Sequence, residues 1–404
     1  MMRRREFLAV SLLLIGTAVL LFETAPLMAQ AHPGGHMVAN PPIRVMEEGQ
    51  NPDGPTGILP SQFKAAYGFN QIPNVGAGQT IALVDAYDDP NIESDLAFYA
   101  SYFNLTPCNF QKVKVGNPPT DTDWAAEESL DVEQACALAP EANIILVEAN
   151  SNADTDLFPA VQVAYSAPYN ATVVSMSWVY AEDPSEISLD SYFCNILNGN
   201  GQPVSFFAAS GDSGHGTWYP AASPCVIGVG GTDLTLATSV PLASPLQLNY
   251  GAETTWIDSS GGVSEYESQP SWQNPACSTW STTLRCIPDI SSVAAHIPIY
   301  DTFGYGGWLS ANGTSISSPD WAGFFTLVNS IRAQNGKSTL SQGAYDLYQF
   351  YYSSNYPTDF HDITTGDNGG CGSQCNAGPG YDLVTGIGTY QANKLVNALV
   401  AATN

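Results

Sequence analysis

The chain has 404 residues, 44% of them hydrophobic and 11% aromatic, which is enough to bury a large core. Its 11 Lys+Arg face 38 Asp+Glu, a formal charge of −27, which argues against nucleic acid or an anionic membrane as partner. The same balance suits an acidic medium, where protonated carboxylates no longer repel one another, though solubility alone accounts for it equally well.

In chain order, residues 1–31 read as an export leader. Arg3-Arg4-Arg5 precedes an apolar run that ends at Ala29-Gln30-Ala31, an A-x-A cleavage pattern, and "RRREFL" looks like a twin-arginine signal. No later segment is apolar for long enough to span a bilayer, so the expected product is secreted, with no stable membrane insertion. Residues 32–58, polar and rich in Pro and Gly, read as a short flexible or residual pro-segment, and residues 59–404 as the folded domain. Eight cysteines fit export. Cys277/Cys286 and Cys371/Cys375 are close pairs in loops, the layout of disulfides, while Cys108, Cys136, Cys194 and Cys225 supply two more of open connectivity.

Beyond the pro-segment, apolar runs recur at 80–87, 143–149, 172–178, 204–210 and 226–231, as in strands buried on both faces. Helix-length segments at 91–103, 128–139, 157–167 and 187–197 separate most of them. The alternation predicts a single α/β domain with a mostly parallel central sheet and helices on both faces. Sites in such sheets form at the carboxyl ends of strands, where Asp85, Trp178 and Asp212 fall.

The stretch "SGDSGHGTWYP", 210–220, holds two familiar fragments. Ser213 in "GDSG" resembles a chymotrypsin-type nucleophile, but a parallel α/β pattern with no suitable upstream histidine argues against it. "HGT" resembles a subtilisin histidine motif, but it follows a late strand instead of opening an early helix. A subtilisin-like serine fits better in "GTSISSP", 313–319. Ser315 is placed at a helix N-terminus, with Ser318 as cap and Pro319 in the first turn. The position expected for the histidine helix holds "DWAAEESLDVEQACALAPEANI", 123–144, where Glu127 and Asp131 share one helical face. Glu128 and Glu133 read as the solvated acids of a helix start, and His215, His296 and His361 as structural.

"EESLD", "SGDSG" and "NGTSISSP", in that order, resemble the sedolisin family of serine-carboxyl peptidases, which have a subtilisin-like fold. The resemblance runs from about Leu59 to the C-terminus and includes "SMSW", "YPAASP", "GVGGTDL", "PSWQ" and "IPDIS". It implies a serine-type endopeptidase that hydrolyses proteins or peptides in acid as a monomer. It makes Ser315 the nucleophile, Glu127 the general base, Asp131 the acid that orients it, and Asp212 the oxyanion partner. "FHDIT" (360–364) and "AGPGYD" (377–382) resemble the family's calcium loop. That implies one structural Ca²⁺ on the Asp362 and Asp382 carboxylates and the carbonyls of Ile363, Gly378 and Gly380.

Three departures stand out. The stretch before the domain is shorter than a sedolisin prodomain. Asp85 stands where several members have glutamate, which predicts a weaker link to Glu127. Trp218 replaces an acidic residue of some relatives, which predicts a more apolar pocket. Two other readings stay open: an inactive scaffold that binds peptides in the same cleft, and a neutral subtilisin with a histidine base.

Overall fold

The computed structural model describes residues 37–47, 54–73, 75–237, 249–340 and 343–403. The leader assigned to residues 1–31 lies outside the described residues, as do 32–36 and 48–53 of the stretch behind it.

The apolar runs become the middle of a sheet. Its strands are β1 (Thr80–Ala86), β2 (Asn109–Lys114), β3 (Asn143–Ala149) and β4 (Val173–Met176), then β5 (Ser205–Ala209), β6 (Ile227–Leu236), β7 (Tyr250–Thr255) and β8 (Ile290–Val293). They lie in the order β7-β6-β5-β4-β1-β3-β2, with β8 also against β6. Every pairing is parallel except β6 with β7. Helices α1 (Ile92–Tyr102), α2 (Thr122–Leu138), α3 (Asp154–Tyr165) and α4 (Thr314–Gln334) cover it.

Successive side chains of β1 point to opposite faces, and both faces are covered. Ile81 and Leu83 pack into the cluster that holds Leu130 of α2 and Phe324 of α4. Ala82 and Val84 pack into the cluster around Phe158 of α3 and Trp178. Hence β1 reads as an unbroken apolar run, as a strand covered on both sides must. The mostly parallel α/β architecture expected from the sequence is the one observed.

Local details differ from expectation. The segment around 187–197 is not an α-helix but a 3-10 stretch, Glu186–Tyr192. Helix α4 starts at Thr314 behind Gly313, so Ser318 and Pro319 lie inside it rather than at its cap. The Ser318 hydroxyl bonds Ser175 Oγ at 2.9 Å instead of a backbone N–H. The disulfides are Cys277–Cys286 and Cys371–Cys375, as expected, with Cys108–Cys136 and Cys194–Cys225 completing the set.

The largest correction concerns α2. Asp121 caps it by accepting from the N–H groups of Asp123 and Trp124, and the helix is buried from Trp124 to Leu138. Glu128 and Glu133 are therefore not solvated; both are 0% exposed. A helix enclosed on all sides is ordinarily apolar, yet this one carries Glu127, Glu128, Asp131 and Glu133 inward.

Other carboxyl groups share that fate. Burial, the largest cause in each case, pushes Asp89 up to about 7. It pushes Asp85, Glu148 and Glu267 up to about 8, and Glu186 up to about 9. The folded chain thus holds protons that the unfolded chain releases near pH ~4. The stabilisation from these groups is complete below that value and is lost as pH rises through about 7 to 9. Thermal unfolding followed by circular dichroism is expected to give the highest Tm near pH ~4, with a steady fall toward pH ~8. A Tm that rises over that interval would contradict the assignment.

Candidate active site

Five segments converge at the carboxyl end of the sheet. Asp85 is next to last in β1, Ser177 follows β4, and Asp212 follows β5. Helix α2 packs against α4 and brings Glu127 and Asp131 to the N-terminus of α4, where Ser315 is the second residue. Glu127, Asp131, Asp85 and Ser315 are each 0% exposed.

Both oxygens of Glu127 and both of Asp85 lack a hydrogen-bond partner. Burial, then the like charges of Asp131 and Asp85, push Glu127 well above the usual carboxylate range, while the neighbouring Ser315 hydroxyl pulls the other way. Asp131 is raised well above its ordinary value by burial and then by Asp85, with the Ser177 hydroxyl opposing. The three acids form a coupled set that shares fewer charges than it has carboxyl groups. Asp85 makes no direct hydrogen bond to Glu127.

Helix α4 breaks a rule next to the serine. Pro319 has no N–H to donate to the Ser315 carbonyl, four residues back. That carbonyl instead faces Ser177 Oγ at 3.3 Å, and the same hydroxyl bonds Asp131 Oδ1 at 2.8 Å. Ser177 therefore ties the acid on α2 to the backbone of the serine on α4.

Asp212 approaches from the other side. Its Oδ1 accepts from the Thr314 N–H at 2.9 Å and the Thr314 hydroxyl at 2.8 Å. Gly313 precedes the helix and has no side chain to cap it, so Asp212 supplies the cap from a distant loop. Its Oδ2 is buried without a partner. Burial pushes Asp212 well above its ordinary value, against the Thr314 donors and the Arg44 charge that favour ionisation. A methyl group placed on Gly313 would sit 2.9 Å from Ser315 Oγ and 3.0 Å from Asp212 Oδ2, so the absent side chain leaves both atoms facing one small space.

Beside this point opens a cavity of about 670 Å³, walled by Tyr87, Trp124, Val179, Asp212 and Trp218. Asp121, Asp123, Asn152 and Ser213 line it as well, so the cavity is mixed in character rather than apolar. Residues 40–45 form another wall. Among the described residues, no histidine lines the cavity. His361 stacks on Tyr250 at 3.8 Å, and burial pushes it down to about 4. His215 forms a bridge with Gly261, and the His296 N–H bonds Asn312 Oδ1.

In the C-terminal loops, the Asp362 and Asp382 carboxylates both accept from the backbone of residues 378–380. Asp362 Oδ2 accepts from the Gly380 N–H at 3.0 Å, and Asp382 Oδ2 from the Gly378 N–H at 2.8 Å. Burial pushes Asp382 up to about 6. Among the described residues, no hydrogen bond reaches the carbonyl oxygens of Ile363, Gly378 or Gly380. Two carboxylates and three open carbonyls are an all-oxygen donor set, which fits a hard cation such as Ca²⁺.

Sequence reasoning missed several contributors. Thr314 and Gly313 sit inside a quoted motif, and Ser177 inside "SMSW", but nothing there marks which atom does what. Asp320, 0% exposed in α4 and bonded by Ser292 Oγ at 3.2 Å, adds another buried acid that raises Asp131.

Comparison with known proteins agrees with this fold. The model of the subtilase family matches residues 125–345, more than half of the chain. Sedolisin of Pseudomonas sp. (strain 101) is 26% identical over 365 residues, aligning 84% of this chain with 60% of its own length. Kumamolisin of Bacillus sp. (strain MN-32) is 30% identical over 384 residues, covering 87% of this chain and 65% of its own. The chain thus spans roughly three fifths to two thirds of the length of these curated relatives. The solved structure of the Pseudomonas serine-carboxyl proteinase sedolisin, complexed with pseudo-iodotyrostatin, superposes with a TM-score of 0.71 at 26% identity, over 85% of this chain and 98% of that one. A lanthipeptide protease, with a TM-score of 0.51 at 15% identity, shares the fold. The chain belongs to the subtilase family and, within it, resembles the sedolisins.

Proposed function

We propose that the chain is a secreted endopeptidase that hydrolyses proteins or peptides in acid through an acyl-enzyme on Ser315. The observation that carries this reading is the convergence of Ser315 Oγ and the unpartnered Asp212 Oδ2 on one space beside Gly313. A protonated Asp212 donates from Oδ2 to the oxyanion that forms there, and the Ser315 N–H, at the second position of α4 with no intrahelical acceptor, is the second donor. Glu127 takes the Ser315 proton and returns it to the leaving amine. Asp131, sharing charge with Glu127 and held by Ser177, orients it. Residues 59–404 make up the peptidase unit, and residues 1–31 the leader removed on export.

The pH dependence follows from the two roles. Glu127 works only once the Glu127–Asp131 pair has lost a proton, and Asp212 works only while it keeps one. The rate therefore rises with the first ionisation of the pair and falls with that of Asp212.

Hydrolysis of a denatured protein from pH 2 to 8 tests this. Ser315→Ala is expected to lose activity by ~10³-fold or more, and Glu127→Gln by ~10²- to 10⁴-fold. Asp212→Ala should cost ~10²- to 10³-fold. Asp212→Asn keeps a neutral donor, so it should retain more activity than Asp212→Ala and lose the upper pH limb. An optimum near neutrality in the wild-type protein would point to a histidine base instead, and a folded protein inert at every pH would favour a peptide-binding scaffold.

The C-terminal loops are proposed to hold one Ca²⁺ through Asp362, Asp382 and the carbonyls of Ile363, Gly378 and Gly380, as the resemblance implies. The ion pins these loops and takes no part in catalysis. Chelation is expected to lower Tm by about 5 °C or more, reversed by added Ca²⁺, and Asp382→Asn should abolish the response. A Tm indifferent to both chelator and Ca²⁺ would remove the ion from this reading.

A further inference from the structure

A second group of buried acids lies outside the active site. Asp89 follows β1, Asp95 is in the first turn of α1, and Asp301 ends the strand Ile297–Asp301. One carboxyl oxygen from each lies within 4.8 Å of the other two, and the residues are 0%, 2% and 0% exposed. Backbone donors hold each in place. Asp89 Oδ1 accepts from the Asn91 N–H at 2.8 Å, Asp95 Oδ2 from the Thr302 N–H at 2.7 Å, and Asp301 Oδ1 from the Phe303 N–H at 2.8 Å. The Thr302 hydroxyl also faces Asp95, at 2.9 Å. These bonds orient the carboxyl groups without balancing their charge. Lys112 donates to Asp88 and to the Asp89 carbonyl, not to the Asp89 carboxylate. Among the described residues, no ion pair reaches Asp89, Asp95 or Asp301.

Two buried oxygens are left open here. Asp89 Oδ2 has no hydrogen-bond partner. Glu133 reaches in from α2 and is 0% exposed. Its Oε2 accepts from the Tyr300 N–H at 3.1 Å, one residue before Asp301, and its Oε1 has no partner. Burial raises Glu133 well above the usual carboxylate range, and the charges that raise it further are those of Asp95, Asp301 and Asp89. Glu133 therefore faces the same three acids. Four carboxyl groups enclosed together need protons or a cation to offset their repulsion. The spacing suits a cation: oxygens bound to one Ca²⁺ at about 2.3–2.6 Å lie no more than about 5 Å apart. The donors are all hard carboxylate oxygens, with none of the imidazole or thiolate that transition metals favour.

We propose that Asp89, Asp95, Asp301 and Glu133 form a Ca²⁺ site of their own, separate from the C-terminal loops. Asp89 Oδ2 and Glu133 Oε1 are its free donors. Asp95 and Asp301 add oxygens that keep lone pairs beside the backbone bonds they accept. The ion joins three parts of the chain: the turn after β1 with the start of α1, the end of the strand Ile297–Asp301, and α2. Glu133 lies two residues beyond Asp131, so the ion braces the helix that carries Glu127 and Asp131. Each ligand residue is at most 2% exposed. The ion therefore exchanges only when this region opens, and a chelator that empties the C-terminal loops leaves it in place.

The test uses the full chain carrying Asp382→Asn, which removes the ion proposed for the C-terminal loops. The protein is purified near neutral pH in Ca²⁺, passed over a chelating resin, and its metal counted by plasma mass spectrometry. The expected content is ~1 Ca²⁺ per chain. Asp89→Asn keeps the acceptor for the Asn91 N–H, and Glu133→Gln keeps the one for the Tyr300 N–H, so both changes preserve the local bonds and remove a charged ligand. Added separately to Asp382→Asn, and checked for folding by circular dichroism, each should lower the content below ~0.2 Ca²⁺ per chain. A folded Asp382→Asn chain that retains no Ca²⁺ and binds none on calorimetric titration overturns the proposal; the four acids then share protons instead. Ca²⁺ retained undiminished in both double variants places the ion elsewhere and overturns it as well.

Discussion

Carboxyl groups without cations are the constraint on which the rest of this structure depends. Glu127, Asp131, Asp85 and Asp320 are buried and Asp212 partly so around one serine, and of these acids Asp212 is the one lowered by a cation, Arg44. In a low-dielectric interior, several adjacent negative charges cannot coexist, so protons must be shared among them. The sheet makes the crowding possible. Parallel strands end together, and β1, β4 and β5 deliver Asp85, Ser177 and Asp212 to one edge, while α2 and α4 bring the remainder from one face. A fold with histidine at this point would work with one neutral base; this one substitutes a proton shared between acids.

Two local violations of backbone rules complete the site. A proline inside α4 frees the Ser315 carbonyl for Ser177, and a glycine without a capping side chain leaves its role to Asp212. Each gives up an ordinary helical interaction and gains a tertiary one at the reacting serine. Such conflicts between local preference and global structure are where function is expected to sit. The motif "IPDIS" is a useful contrast. Its Asp289 is as deeply buried as the site acids, but it pairs with Arg285 at 2.6 Å and accepts the Gly228 N–H at 2.8 Å. It is a satisfied structural ion pair, and Asp289 serves the packing of β6 against β8.

The parallel α/β core was legible because strands covered on both faces leave unbroken apolar runs, and the short-loop disulfides because their cysteines are close in sequence. Cys108–Cys136 and Cys194–Cys225 close loops through tertiary packing, which spacing does not encode. Glu128 and Glu133 were misread for a physical reason: one letter stands for both a solvated carboxylate and a buried, protonated acid. The start of α4 was misplaced because Ser318-Pro319 has the composition of a helix N-terminus, whereas the real one is capped by Asp212, from about a hundred residues away. Residues 37–47 read only as part of a short flexible or residual pro-segment, with no sign of their contact with Ser315. Their contact with Ser315 is made by a backbone carbonyl, and every residue has one.

The same carboxyl groups link the site to stability. An ionised Asp212 would face the Pro42 carbonyl oxygen with negative charge, and burial opposes that by pushing its carboxyl well above the ordinary value. Acid supplies that proton, and it also fills the buried acids of α2 and the sheet, whose ionisation works against the fold. The protonation that stabilises the fold is therefore also the protonation that the proposed oxyanion donor at Asp212 requires.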